Sequence, residues 1–93
     1  MVEYYLYILK SQKTNRFYIG STSDITKRLE KHNSGSVRST KAYCPWTLVH
    51  EEVFSEKRIA RQREIFLKKN YQARKEIFEK VRAAYMTLSS SLV

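Results

Sequence analysis

Several residue types that commonly build a functional centre are scarce in this 93-residue sequence. Its single cysteine, Cys44, rules out an internal disulfide, and with only His32 and His50 beside it a cysteine-based zinc site cannot be assembled. Two glycines are too few for a glycine-rich phosphate-binding loop, and the sequence has no His-Glu-x-x-His run. The chemistry must come from other side chains, and the cysteine content fits a reducing compartment.

Long hydrophobic runs are also missing. No apolar segment approaches the roughly 18 residues that a membrane-spanning helix needs, and residues 1–7 contain an acid but no basic stretch typical of a secretion signal. We therefore expect a cytoplasmic protein that does not bind membranes. Such a short chain can build one compact domain. We assign the domain to residues 1–88 and expect residues 89–93 to form a frayed tail.

Acidic residues are outnumbered two to one, because 18 Lys and Arg stand against 9 Asp and Glu and give a net charge of +9. This excess predicts a polyanionic partner, and nucleic acid is the natural candidate. The alternative is that the charge only keeps the protein in solution. The predicted nucleic-acid contacts are five cations: Lys27, Lys31, Arg38, Lys41 and Lys68.

The residue pattern predicts three strands. Residues 2–9 and 16–20 are rich in aromatic and β-branched types and are separated by a short polar turn, which is typical of a β-hairpin. Residues 47–54 have a similar composition and predict a third strand. Residues 34–46 lack periodicity and predict a long loop, a feature that is often functional in small domains.

The same pattern predicts three helices. The first is capped by residues 22–24 and ends near Asn33, and the second is capped by Ser55 and ends at about Asn70. The third helix is predicted at residues 72–88 by an apolar stripe at helical spacing, which consists of Ala73, Ile77, Val81, Ala84, Tyr85 and Leu88. The chain is therefore expected to be an α+β domain with the order β-β-α-β-α-α.

Arg28 and His32 lie four residues apart, so the predicted first helix projects them from one face. A guanidinium can hold two phosphate oxygens, while an imidazole can donate a hydrogen bond or transfer a proton. The pair therefore suits a phosphate ligand. The alternative is a solvated helix face on which Asp24 pairs with Arg28.

Glu64 lies at the edge of the apolar stripe of the second helix, a stripe that includes Phe66 and Leu67. A carboxylate in that position can reach a cleft and hold a magnesium ion, which typically takes one or two protein carboxylates and retains several waters. The alternative is a rim glutamate paired with Lys68. Arg63 falls inside the stripe, where it can bury its stem and extend its charged head.

Tyr5, Tyr7 and Tyr18 lie on the predicted hairpin and would ordinarily be core or half-core aromatics. A catalytic tyrosine would need nearby positive charge or a metal-bound water, because the ordinary pKa of the phenol is about 10. We expect Tyr7 and Tyr18 to lie side by side with their hydroxyls directed toward Arg28 and His32.

Taken together, residues 4–70 resemble the GIY-YIG nuclease superfamily, and within it the short, single-domain bacterial branch related to the nuclease domain of the excision-repair incision subunit. The second half of the family motif is present as Tyr18-Ile19-Gly20, and the first half is degenerate as Tyr5-Leu6-Tyr7. The segment from Asp24 to Asn33 is similar to the family helix that carries an arginine and a histidine. The segment from Ala60 to Lys68 is similar to the helix that carries the metal-binding glutamate.

The resemblance implies a small antiparallel three-stranded sheet flanked by helices, and it implies roles for five residues. Glu64 would hold one divalent ion, Mg²⁺ or Mn²⁺, on the scissile phosphate, and Arg28 would neutralise charge on that phosphate. Tyr7 or Tyr18 would activate or position the attacking water. His32 would assist a proton transfer or orient the phosphate. The implied activity is metal-dependent endonucleolytic hydrolysis of nucleic acid with low sequence specificity, and the substrate expected first is DNA, with RNA second.

Two other functions are compatible with the basic sequence. A nuclease-derived module without catalytic activity could bind DNA or RNA as an accessory to another protein, and a structural protein of a ribonucleoprotein particle would also be basic. The joint presence of Tyr7, Tyr18, Arg28, His32 and Glu64 favours the enzyme. Such an enzyme could act in DNA repair within a larger repair or processing complex.

Overall fold

The computed structural model describes the backbone of residues 2–91 and the side chains of residues 2–84. It has the predicted order β-β-α-β-α-α and is an α+β fold. The strands and helices are β1 (Tyr4–Ser11), β2 (Phe17–Thr22), α1 (Ile25–Asn33), β3 (Trp46–Phe54), α2 (Lys57–Lys69) and α3 (Tyr71–Ser91). The loop predicted between α1 and β3 contains one turn of 3-10 helix at Lys41–Tyr43.

The three strands form one antiparallel sheet in the order β2-β1-β3, so β1 is central and β2 and β3 are edge strands. In the hairpin, Tyr7 pairs with Gly20 and Leu9 pairs with Tyr18. Because side chains alternate between the faces of a sheet, this register puts Tyr7 and Tyr18 on the same face of neighbouring strands. Their rings are diagonal neighbours, not direct cross-strand partners.

Both faces of the sheet are covered. On the face that packs against α2 and α3, called the α2 face below, Leu6, Ile8, Ile19 and Leu67 form a buried apolar cluster. On the opposite face, called the α1 face, a second buried cluster consists of Tyr7, Leu9 and Trp46, with Ile25 and Leu29 of α1 packed against it. A strand that is buried on both sides requires apolar residues at every position, and this explains the unbroken apolar run of β1.

The ends of the first two helices differ in how they are capped. Asp24 caps α1 as predicted, because its carboxylate accepts a hydrogen bond of 3.1 Å from the Lys27 amide. The prediction for α2 was wrong, since the N-cap residue is Glu56 rather than Ser55 and no side chain caps the helix. The backbone leaves β3 at Phe54 and becomes helical only at Lys57, so Ser55 lies one residue too early to reach the first free amides.

The buried stripe of α2 is narrower than predicted. Ala60 and Leu67 are buried, but Phe66 is 46% exposed and was wrongly assigned to the stripe. Successive residues of a helix are about 100° apart, so Phe66 cannot face the sheet together with Leu67. Instead, the guanidinium carbon of Arg63 lies 5.5 Å from the centre of the Phe66 ring. The head of Arg63 also pairs with Glu52 on β3, at 2.8 Å from Nε to Oε1, so the helix is tied to the sheet by this pair.

Helix α3 extends to Ser91, beyond its predicted end at residue 88. Serine costs only about 0.5 kcal/mol relative to alanine inside a helix, which is too little to end one. Ile77 packs against the α2-face cluster and Val81 is buried, as predicted, but Ala84 is exposed and was wrongly assigned to the stripe. Tyr85 and Leu88, also assigned to the apolar stripe, lie outside the residues whose side chains are described. Within residues 2–91, no helix has the length and apolar character to span a bilayer.

Candidate active site

A chain of buried polar side chains occupies the α1 face. The Arg28 Nε–H donates to the Tyr7 hydroxyl at 3.3 Å, and that hydroxyl lies 3.1 Å from His32 Nε2. On the other side of the imidazole, His32 Nδ1 lies 2.8 Å from the hydroxyl oxygen of Thr40. A strand, a helix and the following loop therefore meet in one hydrogen-bonded network, and Arg28 forms its outer end.

The protonation states follow from chemistry and burial. Burial and the nearby cations of Arg28 and Lys31 lower the pKa of His32 to about 4, so the imidazole is neutral at pH 7. Burial raises the pKa of Tyr7 to about 12, against the opposing effect of the Arg28 hydrogen bond, so Tyr7 keeps its proton. Since Arg28 can only donate, Tyr7 accepts from Arg28 and donates to His32 Nε2, and His32 Nδ1–H donates to Thr40.

Thr40 is the innermost member of this network. Its hydroxyl lies 3.4 Å from the Val37 carbonyl, and its own carbonyl accepts a 3.1 Å hydrogen bond from the Trp46 indole. The loop predicted at residues 34–46 is thus an ordered support for His32. Sequence reasoning did not assign Thr40 to the site.

Tyr18 packs against the network through its ring. Its ring centre is 6.1 Å from that of Tyr7 and 4.7 Å from that of His32. The hydrogen bond with Tyr7, and after it the smaller effect of Tyr18, raise the pKa of Arg28 against the lowering effect of burial. The Lys68 ammonium lies 5.9 Å from the Tyr18 ring centre. Tyr18 therefore connects the network on the α1 face with α2.

Gly20 explains why the Tyr-Ile-Gly segment ends in glycine. A Cβ added at this position would lie 2.6 Å from the Tyr7 hydroxyl oxygen and 2.7 Å from the adjacent ring carbon. These distances are well below van der Waals contact, so any larger residue would displace the Tyr7 ring. Gly20 therefore creates the space in which the Tyr7 hydroxyl can meet Arg28 and His32.

The five residues proposed from the sequence differ in accessibility. His32 is fully buried and Tyr7 is 1% exposed, so both are enclosed by their neighbours. Tyr18, Arg28 and Glu64 are half-buried and can contact a ligand at the surface. The alternative of an Asp24 pair for Arg28 is not what the structure shows, because Asp24 caps α1 and Arg28 hydrogen-bonds Tyr7.

Glu64 approaches from the α2 face. Its Oε1 accepts a 2.7 Å hydrogen bond from the Ser21 hydroxyl, and its Oε2 lies 2.7 Å from the Lys68 ammonium. Burial opposes ionisation, but the hydrogen bonds from Lys68 and Ser21 outweigh it and hold the pKa of Glu64 below the usual glutamate value. The predicted alternative, a helical pair with Lys68, is therefore present. The carboxylate still has 16% of its side-chain surface exposed, and Ser21 is a partner that the sequence analysis missed.

The hydrogen-bonded network that ends at Arg28 and the Glu64 carboxylate approach the free edge of β2 from opposite faces of the sheet. Ser21 lies on the α2 face of this strand and Tyr18 on the α1 face, so the carboxylate that Ser21 holds and the phenol beside Arg28 flank the same edge. The charge of Glu64 is also close enough to contribute to the raised pKa of Tyr7, after burial and the neighbouring Tyr18. A phosphate at this edge could contact groups from both faces.

Glu64 has the chemistry expected of a magnesium ligand. Among residues 2–84, no three His, Cys, Asp or Glu side chains cluster in a way that could hold a metal, so an all-protein cage is not formed there. The ionised Glu64 carboxylate already accepts a hydrogen bond from the Lys68 ammonium at Oε2, so this oxygen can also contact a metal cation. Magnesium commonly binds through one or two carboxylates, waters and substrate phosphate, and the residues present fit that mode.

The structure brings only one of the five predicted nucleic-acid contacts to this edge. Lys68 lies between Glu64 and the Tyr18 ring. Lys27 and Lys31 are exposed on α1, and Arg38 and Lys41 are exposed on the loop that follows it.

Comparisons with known proteins agree with this architecture. The family model described as the GIY-YIG catalytic domain matches residues 3–77. The UPF0213 protein YazA of Bacillus subtilis is 38% identical over 76 residues, which cover 81% of this chain and 76% of YazA. A UPF0213 protein of Streptococcus pneumoniae is 36% identical over 75 residues, covering 80% of this chain and 75% of that protein.

A solved structure is similar as well. The solution NMR structure of a UPF0213 protein from Bacillus halodurans matches with a TM-score of 0.51 and 30% sequence identity, covering 85% of this chain and 84% of that one. The chain thus belongs to the GIY-YIG domain family, which is a family of nucleases that act on nucleic acid and generally depend on divalent metals. Its relatives are short UPF0213 proteins of bacteria.

Proposed function

We propose that this protein is an endonuclease that hydrolyses phosphodiester bonds in DNA with low sequence specificity, using one divalent ion, Mg²⁺ or Mn²⁺, at Glu64. The observation that carries this proposal is the meeting of two groups at the free edge of β2. One group is the ionised Glu64 held by Ser21, and the other is Arg28 held by Tyr7, whose ring centre is 6.1 Å from that of Tyr18. Together they supply a carboxylate, a fixed cation and a phenol within the same accessible edge.

Arg28 would bind the scissile phosphate and stabilise the negative charge that accumulates on it in the transition state. Its Nε is held by Tyr7, so the remaining N–H groups of the guanidinium are left to face the substrate. A pre-oriented cation is effective because it needs no reorganisation during the reaction. The buried network behind Arg28 would thus act by positioning it.

The two tyrosines would have different roles. Tyr18 is half-buried at the edge and would orient the attacking water through its hydroxyl. Tyr7 is enclosed and keeps its proton, with a pKa raised to about 12, so it is poorly suited to remove a proton at neutral pH. We propose that Tyr7 and His32 position Arg28 and do not contact the substrate.

Glu64 would hold the divalent ion through the oxygen that now lies beside Lys68, while Ser21 keeps the other oxygen in place. When bound, such an ion polarises the scissile phosphate as a Lewis acid. Lys68 would then be released to contact a phosphate, as the sequence analysis proposed. The four other predicted contacts, Lys27, Lys31, Arg38 and Lys41, would bind substrate outside the edge itself. A cytoplasmic location and a place in a repair or processing complex are compatible with this activity.

The experiment that tests the proposal is cleavage by wild type and by the Glu64→Ala variant, each with Mg²⁺ and with Mn²⁺. Labelled single-stranded, duplex and branched DNA and RNA are the substrates. We expect cleavage by wild type only, and a loss of at least about 100-fold in the variant, as for removal of a group that acts in the transition state. Binding should be retained, because the substitution removes a negative charge from a basic surface.

Arg28→Ala is the matched comparison. It should reduce both cleavage and substrate binding, since a guanidinium that contacts phosphate acts in the ground state as well as in the transition state. If wild type cleaves no faster than Glu64→Ala on every substrate, the nuclease proposal fails. The chain would then be a basic accessory module that binds nucleic acid without cutting it.

A further inference from the structure

Two clefts open along β2, one near each end of the strand. A cleft of about 400 Å³, called the hydroxyl cleft here, lies at the end of β2 and is lined by Tyr4, Ser21, Thr22, Ser23, Lys57 and Ala60. A second cleft of about 470 Å³, called the basic cleft, lies at the start of β2. Its lining includes Phe17, Tyr18, Lys68, Arg74, Phe78 and Arg82. Neither cleft was assigned a role above.

Glu64 is hydrogen-bonded to one lining residue of each cleft. Its Oε1 accepts from Ser21, which lines the hydroxyl cleft, and its Oε2 accepts from Lys68, which lines the basic cleft. The two partners lie on opposite sides of one carboxylate. A ligand bound at Glu64 would therefore have one cleft on each side of it.

The basic cleft combines positive charge with aromatic rings. Three cations, Lys68, Arg74 and Arg82, line this cleft. None of its lining residues is acidic. The Phe17 and Phe78 rings are stacked with centres 4.1 Å apart and planes 9° from parallel, and the Arg82 guanidinium carbon lies 5.3 Å from the Phe17 ring centre. Cations beside aromatic faces are the usual means by which proteins bind single strands of nucleic acid without sequence preference.

The hydroxyl cleft offers a different set of phosphate and sugar contacts. Ser21, Thr22 and Ser23 supply three hydroxyl groups, and Lys57 supplies one cation. The half-buried Tyr4 adds an aromatic ring, while the small side chain of Ala60, buried at 1% exposure, leaves the cleft open. Hydroxyl and ammonium donors at this density suit the backbone of a polynucleotide more than a free base.

We propose that a single strand of nucleic acid lies along β2 so that the basic cleft holds nucleotides on one side of the scissile phosphate and the hydroxyl cleft holds those on the other. This inference rests on the proposed nuclease function and adds the path and the strandedness of its substrate. The six residues of β2 span about 20 Å, a length suited to a few nucleotides of one strand. Within the two clefts the strand would follow the α2 side of the edge, so Lys27, Lys31, Arg38 and Lys41 would contact only those parts of a longer substrate that lie outside the clefts.

The path can be tested without any cleavage. Backbone amide shifts of the ¹⁵N-labelled protein are recorded in EDTA at low salt during titration with an eight-nucleotide oligothymidylate, an eight-nucleotide oligouridylate and a DNA duplex of equal length. We expect single strands to shift residues 17–23, Lys57 and Lys68. The two single-strand arms show whether DNA or RNA is preferred. Shifts confined to α1 and residues 34–41, tighter binding of the duplex, or no binding of either single strand would overturn the inference.

Charge-removing variants test each cleft separately. Lys57→Ala and Arg82→Ala should each weaken binding of the single strand roughly 5- to 10-fold at low salt and reduce its salt dependence, as expected for loss of a phosphate contact. Lys75→Ala is the control. It removes the same charge from α3, but Lys75 pairs with Glu79 at 4.0 Å and lines neither cleft.

The outcomes separate this inference from the proposed function. If Lys57→Ala and Arg82→Ala bind as tightly as Lys75→Ala while wild type still cleaves with Mg²⁺, the strand path is wrong and the nuclease stands. If both variants lose binding but wild type never cleaves, the clefts hold a single strand in a protein that is not a nuclease.

Discussion

The two faces of the sheet are buried to a similar degree but are built from different chemistry. The α2 face is closed by aliphatic side chains, with Leu6, Ile8, Ile19 and Leu67 at its centre. Among the residues whose side chains are described, the buried polar ones are Ser11, His32 and Thr40, and all three contact the α1 face. One face is therefore an ordinary apolar core, whereas the other contains a hydrogen-bonded network.

This difference indicates which face stabilises the fold and which positions the chemistry. Apolar burial contributes stability in proportion to area and tolerates imperfect geometry. A buried polar network adds little net stability, but it fixes orientation, because any unmade hydrogen bond inside the protein is costly. In residues 2–84 every buried side-chain nitrogen and oxygen has a partner. The network therefore holds Arg28 in one orientation at the edge of the sheet.

Leu67→Ala should have the largest effect on stability. Leu67 is fully buried in the α2-face cluster, and truncation leaves a cavity that typically costs 2–5 kcal/mol. We expect the free energy of unfolding, measured by urea denaturation, to fall by about 3 kcal/mol. The folded fraction should keep the low pKa of His32, measured by NMR titration. A changed His32 pKa would show that the two faces are not independent.

Much of the fold follows from the sequence because local signals agree with the tertiary structure. The aromatic and β-branched run of β1, the cap at Asp24 and the helical period of α3 each specify one element, and the ends of these elements lie within three residues of their predictions. The second helix shows the limit. Its cap at Ser55 and the burial of Phe66 depend on where the chain leaves β3 and how α2 rotates against the sheet, which no local pattern determines.

The site was predictable as a set of residues but not as an arrangement. The spacing of Arg28 and His32 predicts a shared helix face, and the pairing of both with Tyr7 follows from the hairpin. The support from Thr40 and Ser21 could not be predicted, because hydroxyl side chains are common and their partners are distant in sequence. The burial of Tyr7 likewise depends on a contact with Gly20 across two strands.

Gly20→Ala should disturb the α1 face with a smaller loss of stability. The added methyl group would overlap the Tyr7 hydroxyl at 2.6 Å, and relief requires the Tyr7 ring to move. Overpacking of this kind costs about 1–3 kcal/mol, so we expect the free energy of unfolding to fall by about 2 kcal/mol. The substitution should also strongly reduce cleavage, because Arg28 and His32 lose their shared partner.

Gly35→Ala is the matched control for the glycine experiment. Gly35 has a φ of 79°, a conformation that strains alanine, but the nearest atom to an added Cβ is a Lys41 side-chain carbon at 3.8 Å. It should lose about 1 kcal/mol, a typical cost of this strain, and keep its activity. Equal losses of activity in the two variants would mean that the Tyr7 contact has no special role.

Acid should weaken the fold through the α1 face, with the smallest effect of the three. His32 has a pKa of about 4 in the folded protein, below the ordinary value of 6.5. Between these values the unfolded chain binds a proton that the folded chain does not, so this contribution to stability is fully present above pH 6.5 and is lost as the pH falls toward 4. From pH 6.5 to pH 5 the loss should be roughly 1.5 kcal/mol, measured by urea denaturation.

Glu52 and Glu64 have lowered pKa values, so their contributions are lost only at more acidic pH. His32→Asn should therefore remove most of the pH dependence in this window. If the His32→Asn variant loses as much stability as wild type between pH 6.5 and 5, the buried neutral imidazole is not the acid-sensitive part of this face.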